Sequence, residues 1–110
     1  MWESMLVRKN SMVRLGSAHG GWWIDETLVS PELHFISAGV GEDISFDTEL
    51  VEKFSAHGTL VDPTPRAISH YRSVIQRAGR PRESEYSDNG NQPPDAYDLR
   101  RVTPSSLRLI

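Results

Sequence analysis

The chain of 110 residues contains no cysteine and no apolar run long enough to span a membrane. The first absence excludes disulfides, thiolate zinc sites and cysteine nucleophiles, and it fits a reducing compartment, so we expect a cytoplasmic protein. The second excludes a membrane helix, which needs roughly 18–20 apolar residues. A net charge of −3 argues against a general nucleic-acid binder. We therefore expect one domain at most, with neither a membrane nor a nucleic acid as its partner.

Charge is unevenly distributed along the chain. Residues 1–62 carry four basic and ten acidic side chains, whereas residues 63–110 carry eight basic side chains, all arginines, and five acidic ones. A solvated helix face with an arginine-rich loop explains this pattern. The alternative is an anion or partner patch built from five arginines, namely Arg66, Arg72, Arg77, Arg80 and Arg82.

The first strand and helix patterns lie on either side of a glycine turn. An apolar run over 33–38 predicts a buried parallel strand, because it is short and rich in aromatic and β-branched residues. A stripe of apolar residues after the turn predicts a helix, which Asp43 or Ser45 could cap. Gly58 is a natural stop for this helix.

A second strand and a second helix follow directly. Residues 59–61 predict a short strand, and apolar residues at helical spacing predict a helix from Pro65 to Gly79. Residues 33–79 are therefore expected to form a βαβα unit. Such a unit opens a doubly wound sheet, so the sequence predicts an α/β class with a Rossmann-like three-layer fold.

The segments on both sides of this unit are less regular. Residues 1–32 are expected to precede the core, with a weak helix pattern over 2–9 and a glycine-rich loop over 16–21. Residues 80–110 are expected to be a polar loop or disordered segment that leads into a further strand from residue 107. Because few strands precede that point, we expect a sheet truncated after its first strands.

The chemically informative residues are two glycines after the first strand and an acidic residue after the second. Gly39 and Gly41 let the backbone approach a nucleotide-like ligand without a Cβ clash. Asp62 follows Gly39 by 23 residues. An acidic residue at that distance can accept hydrogen bonds from two ribose hydroxyls.

The residues beside the glycines narrow the choice of ligand. Ile44 stands where a dinucleotide fingerprint has its third glycine, and Glu42 and Asp43 would repel a pyrophosphate. Both carboxylates suit a ligand with an ammonium or sulfonium group, such as S-adenosylmethionine. Another nucleotide and a purely structural glycine turn remain as alternatives.

Longer motifs resemble a known family. The stretch SAGVGEDISFDTEL at 37–50, followed by VDPTP at 61–65, resembles the FkbM-like branch of S-adenosylmethionine-dependent methyltransferases. The upstream RLGSAHGGWW at 14–23 is similar to the glycine-tryptophan segment of that branch, and YDL at 97–99 is similar to a stretch before its later strands. The resemblance spans roughly residues 13–110.

The resemblance implies that the βαβα unit over 33–79 binds the cofactor, and it assigns a role to several positions. Gly39 and Gly41 would form the turn beneath the methionine and ribose portions of the cofactor. Asp43 would lie near the amino-acid end of the cofactor, and Asp62 would bind the ribose hydroxyls.

The resemblance also marks the adenine side and a departure from the common pattern. Pro63 and Thr64 would lie beside the adenine. Ser37 stands where many methyltransferases have an acidic residue at the end of the first strand. The chain therefore resembles the cofactor-binding portion of an enzyme, and we expect it to be too short to be active alone. The alternative is a non-catalytic Rossmann-like fragment or an interaction module without a working cofactor pocket.

Other polar side chains suggest neither a metal site nor a catalytic base. Asp43, Asp47 and Glu49 fit a solvated acidic helix start better than a metal site, so we expect no metal. His19 either faces the cofactor or lies in a solvent-exposed loop. The sequence names no catalytic residue and does not choose the methyl acceptor.

Overall fold

The computed structural model describes residues 11–110 and arranges their strands in two sheets. The predicted helix over 2–9 lies outside the described residues. β1 (Met12–Leu15) and β2 (Trp22–Asp25) form an antiparallel ribbon, followed by a short 3-10 turn. The glycine-rich segment over 16–21 joins these two strands as a loop, which agrees with the sequence prediction.

The second sheet contains three parallel strands within the described part of the chain. β3 (His34–Ala38), β4 (His57–Val61) and β5 (Leu107–Leu109) lie side by side in chain order. α1 (Ser45–Phe54) connects β3 to β4, and α2 (Pro65–Ile75) lies between β4 and β5. The predicted α/β class is thereby confirmed. Neither helix has the length and apolar character that crossing a membrane requires.

The core lies on one face of the parallel sheet. Successive strand residues point to opposite faces. On one face, Leu60 and Leu107 are buried in a cluster with Val51 of α1 and Val74 of α2. On the other face, Ile36 is 74% exposed. Both helices therefore cover the same side of the sheet.

The long connection after α2 completes the core. Residues 80–106 form a loop that contains one short 3-10 turn, Pro94–Ala96. Tyr97, Leu99 and Val102 from this loop are buried in the same cluster as side chains of both helices. The polar composition predicts a loop or disorder here, and the structure shows a loop that packs against the domain.

α1 ends earlier than the sequence predicts, and for a different reason. The predicted stop is Gly58, but the helix ends at Phe54. Ser55 then adopts the left-handed conformation, with φ of 57°, and its N–H donates to the carbonyl oxygen of Val51. Gly58 lies inside β4, where a Cβ would collide with the ring of Phe35. Glycine is therefore required at position 58 by the packing of two neighbouring strands and not by the end of the helix.

α2 also ends before its predicted stop. Its last helical residue is Ile75, and the chain reaches Gly79 through further turns. Gly79 has a left-handed φ of 89°, and its N–H donates to the carbonyl oxygen of Leu99 at 2.7 Å. The predicted glycine stop thus marks the point where the loop turns back toward the core.

Candidate functional site

Two adjoining cavities lie at the carboxyl ends of β3 and β4, and we call them together the strand-end groove. The first cavity has a volume of about 390 Å³ and the second about 470 Å³. Both are lined by Gly39, Gly41 and Glu42 of the turn after β3, and by His19 and Gly90 of the flanking loops. Ligands of open α/β sheets bind at the carboxyl ends of the strands, so this groove is the candidate site.

The glycines of the turn have left-handed backbones and open space beside them. Gly39 has φ of 68° and Gly41 has φ of 56°, a region that other residues adopt only with strain. A Cβ built on either residue meets no heavy atom within 4 Å. Conformation therefore requires glycine here, whereas packing within the protein does not. The open space leaves the backbone accessible to a ligand.

Asp62 follows β4 and holds the glycine turn in place. Its Oδ2 accepts a hydrogen bond from the N–H of Gly41 at 3.0 Å. Its Oδ1 accepts from the N–H and the hydroxyl of Thr64 at 3.0 and 2.8 Å. The bond from Gly41, followed by those from Thr64, keeps the pKa of Asp62 below its ordinary value. A carboxylate has about four acceptor positions, so one remains for a ligand in the second cavity.

Asp43 lines the first cavity, and its carboxylate is saturated by protein donors. Oδ1 accepts from the N–H and the hydroxyl of Ser45 at 3.1 and 2.6 Å. Oδ2 accepts from the Ser17 hydroxyl at 2.6 Å and from Nε2 of Gln92 at 3.1 Å. Burial raises the pKa of Asp43, but these hydrogen bonds outweigh it and leave the pKa below its ordinary value. The side chain thus ties α1 to the two loops around it.

Asp47 lies in the first turn of α1 and also lines the first cavity. The expectation that it belongs to a solvated acidic helix start is wrong, because the residue is only 4% exposed. Burial raises the pKa of its carboxyl to about 6, the Ser37 hydroxyl opposes that shift, and the charge of Asp43 adds to it. Oδ1 has no hydrogen-bond partner. The sequence signal for its burial is its spacing from Ile44 and Val51, which lie on the same helix face.

Three of the backbone N–H groups around the start of α1 are already in use. The N–H of Ile44 donates to the Tyr97 hydroxyl at 3.2 Å, and that of Ser45 donates to Asp43. The N–H of Asp43 donates to the carbonyl oxygen of Val40 at 3.3 Å. A helix start binds phosphate through free amides of this kind. Their occupation, together with the carboxylates nearby, weighs against a pyrophosphate ligand.

The two residues that the resemblance places beside the adenine differ in position. Thr64 lines the second cavity, and its hydroxyl also accepts the N–H of Ala67 at 3.3 Å, which caps α2. Pro63 is exposed and is not among the residues that line either cavity of the groove.

The glycine-rich loop forms one wall of the groove. Arg14 fixes this loop by donating from its guanidinium to the carbonyl oxygens of Gly16 at 3.2 Å and Ser17 at 2.8 Å. His19 is exposed and lines both cavities, and Trp22 lines the first. The sequence predicts the loop and leaves the position of His19 open, but it gives no sign of the part played by Arg14.

The acidic residues of α1 do not form a metal centre. Across residues 11–110, no group of three or more histidine, aspartate or glutamate side chains is placed to hold a metal ion. Glu49 instead accepts a hydrogen bond from the Tyr86 hydroxyl at 2.7 Å.

Several arginines of the second half of the chain pair with glutamates. Arg77 and Arg80 lie 2.9 and 3.3 Å from the Glu83 carboxylate, and Arg66 lies 3.4 Å from that of Glu42. Such partly exposed pairs are typical of a solvated surface. They favour the ordinary interpretation of the arginine-rich segment over an anion patch.

Comparison with known proteins adds no family assignment. No family model matches the chain, and no curated protein or solved structure matches it significantly. The family resemblance of residues 37–50 and 61–65 therefore stays a prediction, and the function has to be inferred from the strand-end groove itself.

Proposed function

We propose that the chain is the cofactor-binding part of an S-adenosylmethionine-dependent methyltransferase with a Rossmann-like sheet, similar to the FkbM-like branch. The observation that carries this proposal is the strand-end groove, where Gly39, Gly41 and Asp62 follow two adjacent parallel strands. The cofactor supplies an activated methyl group when bound, and the protein's part is to position it toward an acceptor. A cytoplasmic location belongs to the same proposal.

The chemistry of the groove suits a nucleoside that carries positive charge and no phosphate. The remaining acceptor position of Asp62 fits one ribose hydroxyl. A second hydroxyl would have to displace one of the hydrogen bonds from Thr64. The carboxylates of Glu42 and Asp47 attract a sulfonium or ammonium group. The occupied amides at the helix start, in contrast, are not free to donate hydrogen bonds to a phosphate. Each cavity lies within the usual size range of small-molecule sites, about 300–1,000 Å³.

An interaction module is the second candidate, and the bare face of the sheet favours it. Ile36 and Val61 lie on the face opposite the helices and are 74% and 36% exposed. A chain that retained the framework only to contact a partner would not bind the cofactor. Ligand binding therefore distinguishes the two candidates.

Replacement of Gly39 by alanine tests the groove, and replacement of Gly79 is its matched control. Both glycines have left-handed φ, 68° and 89°, and a Cβ on either meets no heavy atom within 4 Å. Both substitutions should therefore cost similar backbone strain, about 1–2 kcal/mol. Only Gly39 lines the groove, so we expect Gly39→Ala to lose ligand binding and Gly79→Ala to keep it.

The measurement is thermal unfolding with and without S-adenosylhomocysteine. Binding to the native state adds about 2.7 kcal/mol at a hundredfold excess over Kd. We expect this gain in the wild-type protein and in Gly79→Ala, and its loss in Gly39→Ala. Equal gains in both variants would place the ligand outside the groove. No gain in any of the three proteins would contradict the methyltransferase proposal and favour the interaction module.

A further inference from the structure

Asp47 combines burial, a position on a cavity wall and an unsatisfied oxygen. The residue is 96% buried in α1, beside the turn that contains Gly39, and it lines the first cavity of the groove. Its Oδ1 has no hydrogen-bond partner. A buried acceptor without a partner costs folding free energy. The arrangement is therefore explained best by a donor that arrives with a ligand.

The charged groups around Asp47 do not neutralise it. Asp43 and Glu42, on the turn before α1, carry charge of the same sign. Tyr97, from the loop after α2, presents an uncharged hydroxyl that accepts the N–H of Ile44. His19 is the one basic side chain among the described residues that line the first cavity. The field in this cavity is thus negative and suits a cation.

The other two aspartates of the groove are less suited to bind a cation. Asp43 already accepts four hydrogen bonds, which fill the positions that a carboxylate offers. Asp62 has one position left, and it lies in the second cavity. Ser37, at the end of β3, is uncharged, and its hydroxyl donates a hydrogen bond to the Asp47 carboxylate. Of the two aspartates that line the first cavity, Asp47 is the one with an oxygen that accepts no hydrogen bond.

We propose that Asp47 forms an ammonium subsite, whose carboxylate binds the α-ammonium group at the amino-acid end of a nucleoside ligand. This inference rests on the proposed function and deepens it, because it names the residue that makes the site prefer a nucleoside with an amino-acid group over a nucleoside without one. An N⁺–H donor supplies the partner that Oδ1 lacks, and a charge-assisted hydrogen bond of this kind is among the stronger ones in proteins. It also stabilises the ionised carboxylate that burial disfavours.

The first experiment compares two ligands by isothermal titration calorimetry. S-adenosylhomocysteine has the amino-acid end, whereas 5′-methylthioadenosine has the same nucleoside and thioether without it. We expect Asp47→Asn to weaken the first ligand about 10–100-fold and to leave the second unchanged. Asp98→Asn is the matched control, because Asp98 pairs with Arg100 outside the groove and its loss should affect neither ligand.

The outcomes separate this subsite from the proposed function. Equal weakening of both ligands by Asp47→Asn would mean a structural role for the residue and would overturn the subsite. Unchanged affinity for S-adenosylhomocysteine would also overturn it and leave the proposed function standing. If the wild-type protein binds neither ligand, the proposed function fails and the subsite fails with it.

A second experiment needs no substitution at Asp47. Burial raises the pKa of this carboxyl to about 6. The affinity of the wild-type protein for S-adenosylhomocysteine should therefore be about tenfold lower near pH 5 than near pH 7.5, whereas that for 5′-methylthioadenosine should stay constant. His19→Gln tests the other titratable group that lines this cavity on the facing loop, and it should leave the profile unchanged. A flat profile, or one that His19→Gln abolishes, would overturn the subsite.

Discussion

Three aspartates near one groove differ in how many acceptor positions the protein has left them. Asp43 accepts four hydrogen bonds, Asp62 accepts three, and Asp47 keeps an oxygen without a partner. Hydrogen bonds leave the pKa values of Asp43 and Asp62 below the ordinary value, whereas burial raises that of Asp47. At this scale, hydrogen-bond saturation rather than formal charge determines which carboxylate is available to a ligand.

The raised pKa of Asp47 predicts a pH dependence of stability that its replacement removes. The pKa is about 6 in the folded protein against an ordinary value of 3.8, so the native state binds this proton more tightly than the unfolded chain. The contribution is fully present below about pH 4, falls as the pH rises, and is lost above about pH 6. About two pKa units correspond to about 3 kcal/mol.

Urea denaturation of the wild-type protein and Asp47→Asn near pH 4 and near pH 7 measures this contribution. As the pH rises from 4 to 7, the free energy of unfolding of the variant should increase by up to about 3 kcal/mol relative to that of the wild type, because asparagine does not titrate. The other ionisable groups are common to both proteins and cancel in the difference. Parallel pH profiles would show that the pKa of Asp47 is not raised.

At the scale of elements, the sequence predicts the strands of the parallel sheet and the helix starts better than the helix ends, and it does not predict β1. Apolar runs over 33–38 and 59–61 are local signals, and they coincide with β3 and most of β4. The end of α1 is not determined by the sequence pattern of the helix itself. Gly58 is required by the ring of Phe35 on the neighbouring strand, and Ser55 supplies the left-handed residue instead. No pattern within the helix shows either fact.

The candidate site shows the same contrast between features with a local sequence pattern and features that depend on distant segments. Gly39, Gly41 and Asp62 were accessible from the sequence, because a glycine turn and an acidic residue after adjacent strands form a local pattern. The burial of Asp47 has only a weaker signal, its spacing from Ile44 and Val51 on one helix face, and the core around those two residues is completed by the loop after α2. That loop is polar in composition and gives little sign that its later part enters the core.

Tyr97 provides the element-scale prediction, because its hydroxyl joins the start of α1 to α2. It accepts the N–H of Ile44 at 3.2 Å and lies 2.7 Å from Nε2 of His70. Burial lowers the pKa of His70, so the ring nitrogen of the neutral form can accept a hydrogen bond from the tyrosine hydroxyl. Tyr97→Phe leaves both partners without their hydrogen bond, and we expect a loss of about 1–3 kcal/mol in the free energy of unfolding.

Tyr86→Phe is the control for this substitution in chemical denaturation. Its hydroxyl donates to the Glu49 carboxylate, which is partly exposed and can bind water instead. The control should therefore lose less free energy of unfolding than Tyr97→Phe, because water can replace the lost donor. Equal losses in the two variants would show that the hydroxyl linking α1 to α2 contributes no more to the free energy of unfolding than the Tyr86 hydroxyl does.

At the scale of the whole molecule, the described residues cover only one face of the parallel sheet. Parallel sheets are ordinarily covered on both faces. Here the second face presents Ile36, Val61 and Arg108 as exposed residues. A Rossmann-like arrangement covers both faces, so the proposed fold requires a further layer on this one. An interaction module would instead bring its partner to the same surface.

Two alanine substitutions on adjacent strands test this one-sided architecture. Leu60 is fully buried on the helix side, so Leu60→Ala should lower the free energy of unfolding by about 2–5 kcal/mol. Ile36 is 74% exposed on the bare side, so Ile36→Ala should change it by no more than about 0.5 kcal/mol. Urea denaturation at two protein concentrations measures both values. If Ile36→Ala instead costs nearly as much as Leu60→Ala, the bare face is covered in solution. A cost that grows with protein concentration would then identify a second copy of the chain as the cover, because only association depends on concentration.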